Sequence, residues 1–379
     1  MKKILILGGG LVGTPMALDL ARDAKWDITV ADRSELVLNR LSQSEGIQVK
    51  QADLSDLSVL RELVNAFDLV INALPGHLGF RAVESLIDYG KNVVDIAFSP
   101  EDLSPLNERA KDKGLTVIVD FGVAPGLSHM VAGMLDQKFD EIEKLRIFVG
   151  GIPKRRTKPF EYFAVFSPID VIEEYTRPAR LVQNGQIVFK DALSEIEELE
   201  FEGIGTLEAF NSDGLRSLVY SVKAKDMAEK TLRYPGHAQL MKVFRETGLF
   251  SQEAIEINGN SIRPMDVTSK LLFPLWQMKP EDRDITVMKI TAEGQINGQI
   301  KKYTFELFDE FDVSTGIHSM ARTTGYTATL GARLILNDIF STKGLFYPES
   351  VVQQNDVLPY IIDGLRERGI RIREHWDQK

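Results

Sequence analysis

A glycine-rich turn between an apolar strand and a helix lies in the first 33 residues, and it constrains the fold more than any other feature. The run Ile4 to Leu7 predicts a buried strand, and Gly8, Gly10 and Gly13 follow it with the spacing G-x-G-x-x-G. The next segment has the apolar periodicity of a helix, and a second short apolar run ends at Asp32. A strand, a tight turn, a helix and a strand in this order predict the opening of a dinucleotide-binding domain.

Each of these three glycines has a physical role in such a turn. A side chain at Gly8 would block the turn, one at Gly10 would keep a pyrophosphate away from the backbone, and one at Gly13 would hold the helix away from the strand. The first N–H groups of the helix then face the phosphates, together with the positive end of the helix dipole. Leu11 and Val12 lie between the glycines, and we include both in the predicted phosphate site.

The cofactor is predicted from the side chains that follow the second and third strands. The Asp32 carboxylate can accept from both adenosine ribose hydroxyls and would repel a 2′-phosphate, which favours NAD over NADP. Arg33 beside it could stack on adenine or tolerate a 2′-phosphate, so NADP is the second choice. Asp53 and Leu54 follow the third strand beside the expected adenine pocket, where Asp53 either accepts from the adenine amino group or caps the next helix.

Composition limits the classes of protein that fit. A chain of 379 residues is long enough for two domains. Its 44% apolar and 26% charged residues are typical of a soluble globular protein, and the net charge of −10 argues against nucleic acid as a partner. No apolar run has membrane length, so no membrane partner is expected. Because a strand begins directly after Met1 and the chain has no cysteine, we expect no signal peptide and a cytoplasmic location.

The same composition argues against two kinds of chemistry. Without cysteine, no thiolate can trap an aldehyde as a thiohemiacetal. Five scattered histidines without an H-x-x-x-H or H-E-x-x-H motif make a catalytic zinc site improbable, so no metal is expected.

The alternation of strands and helices continues beyond the first motif. Four further strands are predicted from apolar runs at 46–52, 67–74, 92–96 and 115–119. With the first two they predict a Rossmann domain of the α/β class, built on a doubly wound parallel sheet. The fourth strand leaves the sheet where the nicotinamide ribose passes in such folds. The residues there are Asn72, Ala73, Leu74 and Pro75.

A second Gly/Pro turn, DFGVAPG, follows the sixth strand. Its residues Gly122 and Val123 lie at the expected crevice end of the sheet, where the turn could close over the nicotinamide. The alternative is an ordinary turn that crosses between domains.

The second half of the chain has the pattern of an α+β domain with a mostly antiparallel sheet. Asn184-Gly185 between two apolar runs predicts a hairpin, and so does the pair of runs at 284–293 and 299–307. The apolar run at 160–166 predicts another strand. The expected domains are a Rossmann domain over 1–123, a substrate-binding and dimerisation domain over 124–320, and C-terminal helices over 321–379 that return to the Rossmann domain.

Two groups of polar residues are candidates for the chemistry. Asp95 and Asp120 end strands at the crevice edge, where each could meet the substrate or only cap the next helix. Arg233, Tyr234 and His237 share one turn in the second half of the chain. They offer a guanidinium suited to a carboxylate, a phenol and a proton carrier near neutral pH. For His237 the alternative is a structural histidine at a helix start.

Two further stretches carry candidate residues. Asn211 opens the polar turn NSDG, and Arg322 lies in the stretch ARTTG. Arg322 could clamp a carboxylate, and a salt-bridged arginine at a helix start is the alternative.

Several longer stretches resemble the saccharopine dehydrogenase family, and more closely its bacterial lysine 6-dehydrogenase branch. FVGGIP and the RYPGH turn are specific, whereas the opening glycines alone are not. The matching stretches are GGGLVG near the start, VIVDFGVAPG at 117–126, FVGGIP at 148–153, YTRPARLVQNG at 175–185, LEAFNSDG at 207–214, TLRYPGH at 231–237, EINGNSIRPMDV at 256–267 and SMARTTGYT at 319–327.

The resemblance implies NAD-dependent oxidation of the ε-amino carbon of L-lysine to allysine with release of ammonia, on a homodimer whose second domain holds the substrate. It also implies that the turns at 233–237 and 211–214 contact that substrate. Ala124 departs from the aspartate that saccharopine reductases carry before Pro-Gly, which weakens the saccharopine interpretation. The alternatives are imine reduction, as in saccharopine or carboxynorspermidine formation, and a nucleotide-binding protein without turnover.

The reaction needs a base, because a hydride cannot leave the carbon of an ammonium group before the nitrogen has lost a proton. The hypothesis assigns this role to His237, Asp95 or Asp120. Arg233 or Arg322 would hold the α-carboxylate by a paired hydrogen bond.

Overall fold

The computed structural model describes residues 1–279, 281–354 and 356–378. The described chain forms two compact units, each with its own large sheet. The first unit contains residues 1–135 and 321–370, and the second contains residues 136–320 and the C-terminal strand.

The first 138 residues alternate strands and helices, with a short 3-10 helix at Ser104–Leu106. The elements are β1 (Lys2–Leu7), α1 (Gly13–Ala21), β2 (Trp26–Asp32), α2 (Glu35–Leu41), β3 (Ile47–Gln51), α3 (Leu57–Val64), β4 (Leu69–Asn72), α4 (Gly76–Asp88), β5 (Asn92–Asp95), α5 (Asn107–Asp112), β6 (Thr116–Ile118) and α6 (Leu127–Lys138).

The middle of the chain is richer in strands. Its elements are β7 (Glu141–Pro153), α7 (Pro168–Thr176), β8 (Ala179–Gln183), β9 (Gln186–Lys190), β10 (Glu197–Phe201), β11 (Gly205–Asn211), α8 (Leu218–Ser221), β12 (Ala224–Arg233), α9 (His237–Glu246), β13 (Ile255–Ile257), β14 (Asn260–Ile262), α10 (Pro264–Trp276), β15 (Asp284–Ile296) and β16 (Gln299–Glu310). The remaining elements are α11 (Ser319–Leu336), β17 (Gly344–Phe346), α12 (Pro348–Val351), α13 (Val357–Glu367) and β18 (Arg371–Gln378).

Seven strands of the described residues form a parallel sheet in the order β17-β6-β5-β4-β1-β2-β3. This order confirms the predicted doubly wound Rossmann sheet of the α/β class. Ile4 to Leu7 in β1 are 0% exposed, as expected for a central strand of a parallel sheet. The seventh strand, β17, was not predicted, because its three residues are too short to show a period.

A buried ion network joins the C-terminal helices of the first unit to α1. Asp19 in α1 is 2% exposed. Its carboxylate accepts from Arg333 Nη1 at 2.7 Å, from Arg368 Nε at 2.7 Å and from Thr329 Oγ1 at 2.6 Å. Burial raises the pKa of Asp19, but the charges of Arg333 and Arg368 lower it by more, so the carboxyl titrates below its ordinary range.

Nine strands of the described residues form the second sheet. Its main path runs β10-β11-β12-β7-β15-β16-β18, with β8 and β9 attached beside β12. Among the described pairs of this sheet, β7 with β12 is parallel and the others are antiparallel. This confirms the predicted α+β unit on a mostly antiparallel sheet. Both predicted hairpins are present, and Asn184 and Gly185 have φ values of 51° and 74°, which suit a tight hairpin turn.

The expected strand at 160–166 was wrong. These residues pair with no strand of the described chain. Tyr162 and its neighbours pack instead into an apolar cluster that includes Met241 of α9 and Trp276 of α10. Glu161 has a φ of 48°, which interrupts the extended backbone that a strand needs. A short apolar run has the same pattern whether it pairs in a sheet or packs among helices.

The C-terminal strand β18 also differs from the helices expected over residues 321–379. It pairs antiparallel with β16, with Trp376 opposite Tyr303, so it extends the second sheet. Most of its residues are charged or polar, so the apolar periodicity used to predict strands gave no signal there. The contacts within the chain place the limits between the two compact units after Leu135, Met320 and Ile370. The expected end of the Rossmann domain at residue 123 stays a prediction.

None of the helices in the described residues is both long and apolar enough to cross a membrane. No group of three or more His, Cys, Asp or Glu side chains in those residues is placed to hold a metal ion.

We expect Asp19→Asn to lower the free energy of unfolding by about 3 kcal/mol, because it removes the carboxylate that Arg333 and Arg368 share and leaves Arg333 with Asp23 alone. Since the pKa of Asp19 is lowered in the folded state, its stabilisation is present above pH ~4 and is lost as the pH falls through the folded pKa. Urea unfolding at several pH values measures both effects.

The matched control is Asp23→Asn, which removes a single 2.8 Å contact to Arg333 Nε. The Asp23 side chain is 27% exposed, so we expect a loss of about 1 kcal/mol or less. Equal losses for the two variants would contradict the role given to the Asp19 network.

Candidate functional site

The glycine turn between β1 and α1 has the geometry that its spacing predicts. Gly8 has a φ of +96°, and a Cβ there would lie 2.8 Å from the carbonyl oxygen of Ala73. A Cβ at Gly13 would lie 1.9 Å from the carbonyl oxygen of Gly8, so α1 packs directly on the turn. No protein atom lies within 4 Å of a Cβ built at Gly10. Protein atoms therefore pack closely on the turn at Gly8 and Gly13, whereas at Gly10 there is room for another molecule to approach the backbone.

The start of α1 has no side-chain cap. Its N-cap residue is Val12, and no side chain there bonds the first N–H groups. The Leu11 side chain is 49% exposed. Thr14 Oγ1 donates to the Gly9 carbonyl oxygen at 2.6 Å and so holds the turn from the protein side. An uncapped helix start beside an open glycine can bind a phosphate through backbone N–H groups.

Asp32 lies at the end of β2 with both carboxylate oxygens in hydrogen bonds. The backbone N–H of Gly9 donates to Oδ2 at 2.7 Å, and that of Ser34 donates to Oδ1 at 2.8 Å. A Cβ at Gly9 would lie 2.8 Å from Val37 Cγ1, so this glycine is required by packing as well. The sequence interpretation missed Gly9 because the motif assigns it no role. Arg33 is exposed.

Asp53 and Leu54 follow β3 and have different environments. Asp53 Oδ1 accepts from the N–H of Ser55 at 3.1 Å and from its hydroxyl at 2.7 Å, and these bonds lower the pKa of Asp53. These bonds close a local turn before α3, whose N-cap residue is Asp56, so Asp53 does not cap that helix. Leu54 is 8% exposed and packs into the core beside the sheet.

Polar side chains gather at the carboxyl edge of the first sheet. Asn72 and Asp95 end neighbouring strands in register, and Asn72 Nδ2 donates to Asp95 Oδ1 at 2.7 Å. Both are 0% exposed, and Asn72 Oδ1 has no hydrogen-bond partner among the described residues. Ala73 and Leu74 follow, and Pro75 is the N-cap residue of α4. The edge thus carries a buried amide and carboxylate pair next to the glycine turn.

Asp120 lies at the same edge, directly after β6. It is 1% exposed and has a φ of 54°, a backbone conformation that few residues other than glycine adopt. Burial is the main cause that raises the pKa of Tyr347, and the nearby Asp120 and Asp102 add to it. The Tyr347 hydroxyl donates to Asp102 Oδ1 at 3.0 Å. The sequence interpretation missed Tyr347, because nothing in its local pattern connects it with this edge.

The turn after Asp120 closes tightly on itself. The N–H of Gly122 donates to the carbonyl oxygen of Pro125 at 3.0 Å, and a Cβ at Gly126 would lie 1.8 Å from the carbonyl oxygen of Gly122. A Cβ at Gly122 would lie 3.1 Å from the Thr324 methyl group, and Val123 is 3% exposed. This turn is packed against α11 within the first unit.

Arg322 also lies in the first unit, near the start of α11. It is 5% exposed, and its Nη2 donates to the carbonyl oxygen of Arg368 at 2.6 Å. Its guanidinium stands 5.5 Å from the ring centroid of Tyr326. These contacts give Arg322 a packing role in the described structure.

Arg233 is a deeply buried cation of the second unit. It is 3% exposed, its Nη2 contacts Glu174 Oε2 at 2.7 Å, and its guanidinium stands 4.6 Å from the ring centroid of Tyr162. Burial raises the pKa of Glu174, although the charge of Arg233 opposes this. The pair is therefore enclosed by protein rather than displayed at the surface.

His237 is unsuited to be the base in this structure. Its Nε2 lies 2.9 Å from the Tyr175 hydroxyl, and its Nδ1 lies 3.0 Å from the carbonyl oxygen of Phe160. This carbonyl can only accept, so Nδ1 carries the proton and Nε2 accepts from Tyr175. Burial and the Arg233 charge lower the pKa of His237 to about 3. Both nitrogens are engaged and the ring stays neutral near pH 7, as in the structural alternative.

The turn that holds Arg233 and His237 is fixed by a residue that sequence reasoning missed. Glu208 in β11 accepts from the N–H groups of Gly236 and Ala238 at the start of α9. The Tyr234 hydroxyl donates to the carbonyl oxygen of Pro153 at 2.9 Å, so it too is structural here. A carboxylate on a strand leaves no sequence signal that it caps a helix far along the chain.

The polar turn after Asn211 faces a buried acid. Asn211 Nδ2 donates to Ser194 Oγ at 3.0 Å and to Glu195 Oε2 at 3.1 Å. Ser212 Oγ donates to Glu229 Oε2 at 2.8 Å. Burial raises the pKa of Glu229 to about 8, so this carboxyl is largely protonated near neutral pH. Glu229 was missed because an acid in a strand normally faces solvent.

Three buried donors in the second unit lack acceptors. Tyr162 OH, Trp276 Nε1 and Arg233 Nε have no hydrogen-bond partner among the described residues. They belong to one cluster, since the Tyr162 ring lies 5.4 Å from the Trp276 ring and 4.6 Å from the Arg233 guanidinium. The Trp276 and Arg233 groups can only donate and the Tyr162 hydroxyl can donate, so these groups together favour a ligand that accepts.

Comparison with known proteins identifies relatives over the whole chain. The model of the saccharopine dehydrogenase NADP binding domain matches residues 4–118, and that of the saccharopine dehydrogenase C-terminal domain matches residues 122–370. The chain is 24% identical to the mitochondrial alpha-aminoadipic semialdehyde synthase of Rattus norvegicus, over 97% of this chain and 47% of that protein. It thus spans about half the length of that relative.

Two further relatives match over their full length. The saccharopine dehydrogenase [NADP(+), L-glutamate-forming] of Schizosaccharomyces pombe is 23% identical, with 99% of both chains covered. The solved structure of apo saccharopine dehydrogenase (L-Glu forming) from Saccharomyces cerevisiae has a TM-score of 0.81 and 20% identity, with 100% of both chains covered. This likeness shows that the two chains share a fold.

We expect Gly13→Ala and Gly10→Ala to differ in thermal stability but to lose affinity for a nicotinamide dinucleotide to a similar degree. A Cβ at Gly13 meets the Gly8 carbonyl oxygen at 1.9 Å, so the thermal midpoint should fall by about 5 °C or more. A Cβ at Gly10 meets no protein atom within 4 Å, so the midpoint should be nearly unchanged. Both variants should bind a nicotinamide dinucleotide at least about tenfold more weakly, because Gly10→Ala obstructs the pyrophosphate and Gly13→Ala displaces the helix start that faces it. Calorimetric titration and thermal unfolding test this, and unchanged affinity in Gly10→Ala would contradict it.

Proposed function

The chain belongs to the saccharopine dehydrogenase family, and from this premise we propose that it is a nicotinamide-dependent oxidoreductase acting on a carbon–nitrogen bond of an L-amino acid. The observation that carries the proposal is the opening turn. Its backbone is closed by contacts at Gly8 and Gly13, open at Gly10, and continuous with an uncapped helix start. These are the requirements for binding a pyrophosphate at the edge of a Rossmann sheet.

Two substrates of this class are supported by different observations. The names of the relatives favour saccharopine, a secondary amine, or the reverse reduction of its imine. Ala124 favours the primary ε-amine of L-lysine, because the aspartate expected there in saccharopine reductases is missing. Oxidation of L-lysine would yield allysine after water hydrolyses the imine and ammonia leaves.

We propose NAD as the cofactor, although the matching family domain and several relatives are named for NADP. The supporting observation is Asp32, whose carboxylate is held in place by the N–H groups of Gly9 and Ser34. A fixed negative charge at the end of β2 repels a 2′-phosphate and accepts from ribose hydroxyls. The exposed Arg33 next to it is the feature that would let NADP bind.

The proton that must leave the substrate nitrogen needs an acceptor at the carboxyl edge of the first sheet. We propose Asp95 or Asp120 for this role, because both lie at that edge and both are almost fully buried. His237 is not proposed, since its ring nitrogens are engaged by Tyr175 and Phe160. A carboxylate can take the proton while the hydride leaves the adjacent carbon.

We also propose a carboxylate-binding site within the second unit itself. Arg233, Tyr162 and Trp276 present three buried donors without acceptors. A buried donor that makes no hydrogen bond is unfavourable by about 1 to 3 kcal/mol, and a carboxylate placed among the three would remove that penalty. Glu174 balances the charge of Arg233 when no substrate is bound.

The proposed activity is tested with a panel of substrates and both cofactors. L-lysine, saccharopine, diamines and ω-amino acids are offered with NAD or NADP, and the absorbance of the reduced nicotinamide is followed. Imine reduction is tested in reverse, with allysine and glutamate as reactants. We expect turnover with L-lysine or saccharopine. Cofactor binding by calorimetry without any turnover would contradict the proposal and favour a nucleotide-binding protein.

Asp32→Asn tests the choice of cofactor in the same assay. The variant keeps the shape of the side chain but removes its charge, so the ratio of kcat/KM for NADP over NAD should rise at least about tenfold. Lys50→Gln, an exposed charge removal in β3, serves as a control in which we expect no change in the ratio. An unchanged ratio in Asp32→Asn would contradict the role of this carboxylate.

Tyr162→Phe tests the proposed carboxylate site. Without substrate it should be as stable as the parent or more stable by about 1 kcal/mol, because it removes a buried hydroxyl that has no acceptor. The KM for the amino-acid substrate should rise about tenfold while the KM for the cofactor is unchanged, since a hydrogen bond to a charged group contributes about 1.5 kcal/mol or more. Steady-state kinetics and thermal unfolding measure both.

The control for this variant is Tyr303→Phe, whose hydroxyl donates to Glu374 Oε2 at 2.9 Å. It should lower stability by about 1 kcal/mol and leave both KM values unchanged. If Tyr162→Phe behaves like this control, the hydroxyl serves the fold and the substrate carboxylate binds elsewhere.

A further inference from the structure

Three turns of the second unit share one dipeptide sequence and one backbone conformation. The chain has three Asn–Gly pairs, at 184–185, 258–259 and 297–298, and each one closes a two-residue hairpin. The three asparagines have φ values of 51°, 51° and 52°, and the glycines that follow them have values of 74°, 79° and 72°. Because the pair and its conformation are the same, a difference in the chemistry of these turns has to come from the structure around them.

An Asn–Gly pair can react within its own backbone. The backbone nitrogen of glycine attacks the side-chain Cγ of asparagine, and glycine has no Cβ that would obstruct this approach. A bond forms between that nitrogen and Cγ, the side-chain nitrogen leaves as ammonia, and a five-membered succinimide remains. Water then opens either carbonyl of the ring and yields aspartate or isoaspartate. Asparagine is for this reason one of the thermolabile residues of proteins.

The hairpin conformation opposes this reaction. Ring closure needs the glycine nitrogen and Cβ on the same side of the asparagine Cα–C bond, whereas in a turn of two left-handed residues they lie on opposite sides. The turn must therefore open before the nitrogen can reach Cγ. Local opening is easiest where few contacts hold a segment, so the turn with the least support should react first.

The turn at 184–185 is held by the strand beside it. The Asn184 N–H donates to Asp226 Oδ1 at 3.2 Å. The Gly185 N–H, which is the attacking group, donates to the carbonyl oxygen of Lys225 at 2.8 Å. Opening this turn breaks both bonds and frees the nitrogen only after the second is lost.

The turn at 297–298 is held by a different acid and by a long ladder. The Asn297 N–H donates to Asp140 Oδ2 at 2.6 Å. Behind the turn, β15 and β16 pair over 285–296 and 299–310, and β15 also pairs with β7. The sheet therefore resists opening at this end.

The turn at 258–259 has no such support. β13 and β14 have three residues each and, among the described strands, pair only with each other. Residues 252–261 are all exposed. Within the described chain, the turn makes one side-chain hydrogen bond, from Asn260 Nδ2 to the Asn258 carbonyl oxygen at 3.5 Å, and both residues belong to the same hairpin. A two-stranded hairpin is marginal when it stands alone in water, so this turn opens most easily.

We propose that Asn258 is a deamidation site of this protein, at which the folded chain converts to aspartate and isoaspartate ahead of Asn184 and Asn297. The product has one more negative charge, and isoaspartate also adds one carbon to the backbone of the turn. Since β13 and β14 join no other described strand, the modified chain should keep the thermal midpoint of the parent.

Peptide mapping of the full chain over time tests the proposal. The protein is kept in mildly alkaline buffer, and mass spectrometry of digests measures the modified fraction at each Asn–Gly pair. Methylation by an isoaspartyl methyltransferase identifies the isoaspartate. We expect Asn258 to convert at least about tenfold faster than Asn184 or Asn297, because those turns must first break hydrogen bonds to the rest of the unit. Equal rates at the three pairs, a faster rate at Asn184 or Asn297, or no conversion in the folded chain would overturn the proposal.

The same measurement in urea separates the effect of the fold from that of the neighbouring sequence. In the unfolded chain the three pairs lose their different surroundings, so they should convert at similar rates. If Asn258 still converts about tenfold faster in urea, the preference arises from its sequence neighbours and the structural argument is wrong.

Asp140→Ala tests whether the supporting bonds set the order. It removes the acceptor of the Asn297 N–H, so the rate at Asn297 should rise about threefold or more while the rate at Asn258 is unchanged. The matched control is Glu141→Ala, at the neighbouring exposed acid, and it should change neither rate. An unchanged rate at Asn297 in Asp140→Ala would contradict the proposed cause.

Discussion

The contact between α1 and the glycine turn is the constraint on which the first unit depends. The helix can start where it does because Gly13 brings no side chain to the Gly8 carbonyl oxygen, which lies 1.9 Å from the position of a Cβ. Gly8 in turn packs on the backbone of Ala73 at the end of β4. The parallel register then aligns Leu7 with Asn72 and Asn72 with Asp95. These two close backbone contacts and the strand register therefore decide which polar groups share one edge of the sheet.

This constraint is also why the first sheet could be predicted from the sequence. The glycine spacing is required by backbone geometry, which is local, and strands buried on both faces appear as apolar runs. β17 and β18 escaped prediction for the opposite reason. One has three residues and the other is mostly charged, so their place is decided by the neighbouring strands β6 and β16. The run at 160–166 was assigned to a strand because its apolar pattern does not distinguish sheet from packed loop.

The candidate residues of the second unit could be named from the sequence, but their state could not. His237 meets Tyr175 and Phe160, which lie 62 and 77 positions away in the chain, and Arg233 meets Glu174 from 59 positions away. Burial and these distant partners turn a histidine that titrates near neutral pH into a neutral hydrogen-bonded ring. A local sequence pattern identifies a candidate residue, but the protonation state of that residue depends on neighbours that are brought near it only by the fold.

The segment after Met320 completes both sheets, which has a consequence for synthesis on the ribosome. β17 covers the outer side of β6, and β18 covers the outer side of β16. Until this segment has emerged, a nascent chain presents two strands with an open hydrogen-bonding edge and holds Asp19 without its arginines. Until β17 and β18 pair, these edges are open to strands of other chains, so the order of synthesis exposes β6 and β16 before it covers them.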